Sequence, residues 1–92
     1  MNSRRKRIEE LLSGGEYTPS QLARIFGVKV SVIVEDLRHI AKSRRGEVYI
    51  SPAKCRKCGF VFKPEVKIPK RCPRCKSEWI DEPRFKIISQ NP

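Results

Sequence analysis

Four cysteines carry the chemistry of this chain: Cys55 with Cys58, and Cys72 with Cys75. Two residues separate the thiols of each pair, and Gly59 to Arg71 lies between the pairs. A CxxC pair wraps one edge of a metal ion through a tight turn, and two such knuckles close a tetrahedral all-sulfur site. A closed site of this kind has no open coordination position, so it holds structure and performs no hydrolysis. The spacing predicts one structural Zn2+ bound by all four thiolates, with iron as the alternative metal for a four-sulfur site. Gly59 directly follows Cys58, where a knuckle needs a left-handed backbone that glycine adopts at low cost. Pro73 stiffens the second knuckle, and Lys76 stands where the matching glycine is expected. Two disulfides are the competing arrangement of the thiols. The opening Met-Asn-Ser-Arg-Arg-Lys-Arg is not an apolar signal segment, which points to a cytoplasmic protein whose thiols stay reduced. A thioredoxin-type redox pair would need a βαβ unit that the sequence does not offer.

At 92 residues, one or two very small domains bury little surface, so a structural metal is a natural supplement. The formal net charge is +11, spread along the chain: residues 1–46 hold ten Lys/Arg against five Asp/Glu, and residues 47–92 hold eleven against five. Such a balance points to an anionic partner, nucleic acid first, an acidic protein surface second and lipid third. The scarcity of Asn and Gln, two of each, also fits a thermophile-like bias toward charged surfaces. No apolar run approaches a membrane span. His39 is the single histidine, no cysteine is left over as a nucleophile, and the acidic residues show no distinctive pairing. The sequence therefore predicts a binding protein, with no enzymatic activity and no small-molecule substrate.

The elements that must position the metal module follow from local patterns. Ser3 to Ser13 reads as a helix, with Ile8, Leu11 and Leu12 at helical spacing and Gly14-Gly15 to end it. Thr18-Pro19-Ser20-Gln21 reads as a capping box with proline at the first helical position, and Tyr17 as a staple onto Leu22. Leu22, Ala23, Ile25 and Phe26 form the apolar side of this short helix, which Gly27 ends. A third helix follows from Val30 to Ser43, with Ile33, Leu37, Ile40 and Ala41 on one face. Short helix, glycine turn and longer helix make a helix-turn-helix pattern. Glu47 to Ser51 and Arg84 to Ile88 alternate as strands, bounded by Pro52 and Pro83. Phe60-Val61-Phe62 reads as a further strand behind the first knuckle. Pairing the two flanking strands with each other makes a hairpin beside the third helix, a wing, with the ribbon at its tip. The predicted fold is thus α+β: a winged helix-turn-helix of residues 1–51 and 82–92, with a zinc ribbon, residues 52–81, inserted between the wing strands.

On Tyr17-Thr18-Pro19-Ser20-Gln21-Leu22, Phe26-Gly27-Val28 and the two knuckles, the chain resembles the archaeal predicted transcriptional regulators that join a winged helix-turn-helix to a rubredoxin-like zinc ribbon. The resemblance implies DNA binding in transcription regulation, with the third helix in the major groove. The matched surface positions are Lys29, Val30, Ser31, Val34, Glu35 and Arg38. Only Ser31 and Arg38 suit hydrogen bonds to DNA on that face, because Val30 and Val34 are apolar and Glu35 repels phosphate; Lys29, a poor helix cap, is kept as a further candidate contact. Phosphate contacts are expected from Arg4, Arg5, Arg7, Lys42, Arg44 and Arg45, and on the ribbon from Lys54, Arg56 and Lys57. Two alternatives stand beside DNA binding. One is a protein-interaction module docking onto transcription machinery or another partner through the ribbon and through Val30 and Val34. The other is a rubredoxin-like electron carrier with iron in the sulfur site.

Overall fold

The structure, a computed structural model, describes residues 3–88; Met1, Asn2 and residues 89–92, the end of the segment 82–92 assigned above, lie outside the described residues. Three helices come first, α1 (Ser3–Gly14), α2 (Pro19–Phe26) and α3 (Val30–Ser43). Four short strands follow, β1 (Val48–Ser51), β2 (Lys54–Cys55), β3 (Ile80–Asp81) and β4 (Arg84–Ile87). No helix among the described residues is long and apolar enough to cross a membrane.

The start of α2 is built as its sequence predicts. The Gln21 backbone N–H donates to Thr18 Oγ1 at 3.1 Å, and the Thr18 N–H donates to Gln21 Oε1 at 2.8 Å. Two backbone donors that the helix cannot satisfy are thereby paired. Gly27 ends α2 in the left-handed region, φ 66°, with its N–H on the Ala23 carbonyl. Glu82 supplies a further cap that the sequence does not announce. Its carboxylate accepts from the Ser20 backbone N–H at 3.0 Å and from the Ser20 hydroxyl. A negative group there also answers the positive end of the helix dipole.

β1 and β4 pair antiparallel, with Val48 opposite Ile87 and Ser51 opposite Arg84. On the other edge of β4, Tyr17 and Phe85 exchange backbone hydrogen bonds at 3.1 and 2.9 Å. β4 is therefore the central element of the small sheet, and its alternation follows: Phe85 and Ile87 are buried, Arg84 and Lys86 exposed. Phe85 and Ile87 join Ile8, Leu12, Leu22, Ile33, Leu37 and Ile40 in one core. The helical half is completed by residues that lie beyond the metal module in sequence.

The hairpin continues outward through β2 and β3, paired antiparallel as Lys54 with Asp81 and Cys55 with Ile80. The strand expected over Phe60–Phe62 reduces to one bridge, Val61 to Lys54. The Phe60 carbonyl is taken by Cys55 N–H and the Phe62 N–H by the Ala53 carbonyl. Pro64 follows with no N–H to extend a ladder.

Candidate metal centre and basic surfaces

Both knuckles use the same backbone wiring. In the first, Cys55 N–H bonds the Phe60 carbonyl at 2.8 Å and Gly59 N–H bonds the Cys55 carbonyl at 3.0 Å. In the second, Cys72 N–H bonds the Ser77 carbonyl at 2.8 Å and Lys76 N–H bonds the Cys72 carbonyl at 2.9 Å. The equivalence requires the residue after each second cysteine to turn left-handed. Gly59 does so at φ 83° and Lys76 at φ 66°, the one non-glycine with positive φ among the described residues.

The turns bring the four sulfurs together. Cys55 Sγ stands 3.6 Å from Cys75 Sγ, and Cys58 Sγ stands 3.6 Å from Cys72 Sγ. All four lie within 4.8 Å of one another. Sulfurs each about 2.3 Å from one tetrahedral zinc would be about 3.8 Å apart, so the cluster has the span of a metal site. A disulfide would bring a pair to about 2.05 Å. Cys55 and Cys72 are buried, Cys75 is half-buried and Cys58 is exposed.

The surroundings favour thiolate at Cys55 and Cys72. The Cys58 N–H points at Cys55 Sγ, and the N–H groups of Arg74 and Cys75 point at Cys72 Sγ, at 3.4–3.5 Å. The Cys58 N–H holds the Cys55 thiol low, at about 6. Burial works against ionisation of Cys72, yet the N–H groups of Cys75 and Arg74 bring it below the ordinary thiol value. Cys58 moves the other way, to about 11: the Phe60 N–H pulls it down, but burial and the three neighbouring thiols outweigh that pull. Four sulfurs this close cannot all carry charge without a cation among them. The donor set therefore fits a thiophilic dication in a closed site: one structural zinc held by Cys55, Cys58, Cys72 and Cys75.

The basic residues fall into two groups. Arg4 and Arg5 turn inward onto Asp36 of α3, with Nε–O distances of 2.6 and 2.8 Å. Burial would raise the Asp36 carboxyl, but the hydrogen bonds from Arg4 and Arg5 hold it below the usual carboxylate range. Arg44 is likewise shared between Glu9 at 3.0 Å and Glu47 at 2.8 Å. These three arginines, expected as phosphate contacts, each pair with acids of α1, α3 or the turn before β1. On the ribbon, Arg56 lies over the Trp79 ring at 5.1 Å and beside Asp81 at 3.4 Å.

The other candidates face solvent. Arg7, Lys29, Ser31, Arg38, Lys42, Arg45, Lys54 and Lys57 are exposed. Lys29 precedes α3 and makes no side-chain cap. Val30 and Val34, expected as an exposed docking face, are half-buried, and Val30 packs on the core. Sequence reasoning missed Asp36 and Glu82. Asp36 sits among Ile33, Leu37 and Ile40 on the buried side of α3, and that placement was the available signal.

Two known families together cover nearly the whole chain. Residues 3–50 match the family described as PF0610-like, N-terminal, and residues 52–90 match the PF0610 rubredoxin-like zinc beta-ribbon domain. The solution NMR structure of protein PF0610 from Pyrococcus furiosus is similar at 55% identity and a TM-score of 0.80, over 96% of this chain and 90% of that one. No curated protein matches the chain. The two family matches meet beside Pro52, although β4, inside the second match, returns in space to β1.

Proposed function

The chain belongs to the PF0610-like family, whose N-terminal part is followed here by a rubredoxin-like zinc ribbon, and from that premise we propose a winged-helix-type transcription protein that holds DNA by its phosphates. Three features support the reading. α2, the Gly27 turn and α3 lie in helix-turn-helix order, and the β1–β4 hairpin follows α3 as a wing would. Tyr17 supplies the short bridge on the far edge of that hairpin.

The observation that carries the phosphate reading is a stripe on α3. Ser31, Glu35, Arg38 and Lys42 recur at helical spacing on the exposed side, and Arg45 stands just past the helix end. No ion pair engages Arg38, Lys42 or Arg45 among the described residues, in contrast to Arg4, Arg5 and Arg44. Base readout is poorly served by the same face. Glu35 sets a carboxylate on it, 3.4 Å from His39 Nε2, and the valines are partly withdrawn. With no Asn or Gln on this face, few side chains remain to read base edges beside those that hold phosphates.

Binding of metal-loaded protein to random-sequence duplex across a salt series tests this. Log affinity should fall with log salt by about 0.9 for each phosphate contact, and Arg38→Ala with Lys42→Ala should flatten the slope by about 2. An unchanged slope in that double variant, or a salt-insensitive complex with one DNA sequence, would refute the reading.

A further inference from the structure

The ribbon carries a cleft that neither the metal nor the basic stripe of α3 explains. It is an open cleft of about 420 Å³ where the ribbon meets the hairpin. Ala53 and Pro83, both almost wholly buried, form its base at the points where the two strands enter and leave the ribbon. Phe62, Ile68 and Pro73 of the second knuckle also line it. The volume lies within the range of sites that enclose a small apolar group. Walls set by prolines and anchored to a metal knuckle are already shaped before anything binds, so little ordering cost remains for an occupant.

The rim has one dominant sign. Lys63, Lys67, Lys70 and Arg71 line the cleft against a single acid, Glu65. The three lysines are exposed and make no ion pair among the described residues. Arg71 is held loosely by Glu78 at 3.6 Å, both side chains open to solvent. An apolar base beneath unneutralised lysines is complementary to a group that is apolar at its centre and anionic around it.

We propose that this cleft is the docking site for an acidic peptide segment of a partner protein, with one apolar side chain inserted over Ala53 and Pro83 and flanking carboxylates on Lys63, Lys67 and Lys70. The lining speaks against a nucleotide as occupant. Single-stranded nucleic acid is held by open aromatic platforms on which bases stack. Phe62 is the sole aromatic ring of the lining, and it already stands edge-to-face with Phe60 at 5.0 Å. Apart from the charged rim, no side chain of the lining donates or accepts a hydrogen bond, so base edges would go unread.

The test uses the full chain loaded with zinc and a fluorescein-labelled peptide bearing one central Leu among Asp and Glu residues. Anisotropy should show saturable binding, and amide shifts should move at Phe62, Ile68 and Lys70. Lys63→Glu with Lys67→Glu should weaken binding about tenfold through the lost charge complementarity, with zinc content unchanged as the check on folding. A peptide with Ala in place of Leu should also bind about tenfold more weakly, the effect of losing one buried aliphatic group. Equal binding of the Ala peptide would overturn the proposal, because charge alone would then suffice. Shifts confined to α3, or a single-stranded oligonucleotide that competes fully at the cleft, would overturn it as well. Arg38→Ala with Lys42→Ala serves as the control that separates this site from the DNA-binding surface, and should leave peptide affinity intact.

Discussion

Asp36 is the acid on which α1 and α3 converge. Its side chain is 1% exposed, while those of Arg4 and Arg5 keep 30% and 32% of their surface in water. A buried carboxylate is tolerated because two guanidiniums satisfy it, and removing its charge strands neither arginine in the interior. Asp36→Asn should therefore cost about 1–2 kcal/mol, below the usual penalty for a sealed ion pair, since solvent screens the arginine ends. The folded-state carboxyl is lowered, so the unfolded chain takes up the proton more readily. The pair's contribution is thus complete above the ordinary aspartate value of about 4 and disappears as pH falls through the lowered value. Urea midpoints of wild type and Asp36→Asn should differ at pH 7 and converge in acid; equal midpoints at pH 7 would show that the pair carries nothing. The arginine run was legible in the sequence as cations on a helix's first turn, where the dipole disfavours them. Its partner was not, because only the packing of α1 across α3 brings position 36 beneath positions 4 and 5.

The two knuckles are copies in backbone hydrogen bonding and differ in the residue that takes the left-handed turn. Gly59 takes the left-handed turn freely, and nothing lies within 4 Å of where its Cβ would be. Lys76 makes the same turn with a side chain, which costs about 1–2 kcal/mol in an L-residue. Lys76→Gly should raise the thermal midpoint of the ribbon, with a gain of up to about 1 kcal/mol once glycine's greater unfolded freedom is subtracted. Gly59→Ala should lose about 1 kcal/mol from strain alone, with no clash. Chelator competition and melting of both variants measure this, and a stabilising Gly59→Ala would contradict the strain argument. Element boundaries were most legible where backbone chemistry is local: the Thr18–Gln21 box, the Gly27 stop and the glycine of the first knuckle. β2, β3 and the Glu82 cap were hidden for the opposite reason. Two-residue strands have no alternation to detect, and a carboxylate that caps a helix 62 positions away leaves no local trace.

The whole molecule measures 40 × 32 × 19 Å with a radius of gyration of 13.5 Å. A compact chain of this length would have a radius of about 12 Å, so the shape is drawn out. Pairing β1 with β4 requires closing everything from residue 52 to residue 83 into one loop. A metal clip across the cysteines shortens that loop, and each halving of length removes about 0.6 kcal/mol of closure entropy. Chelation should then do more than loosen residues 54–79. It should also weaken the β1–β4 pairing and lower the melting midpoint of the helices, by about 4–8 °C if the coupling amounts to about 1 kcal/mol. Amide exchange at Phe85 and Ile87 reads the effect directly, and undiminished protection there after metal removal would show the two halves to be uncoupled. The position of Phe85 has a consequence for synthesis on the ribosome. That side chain fills the centre of the helical core, yet it emerges after every helix and both knuckles. The nascent helices therefore wait, incomplete, until the chain beyond both knuckles has been made, and the metal site and the last piece of the core become available from the same late stretch of chain.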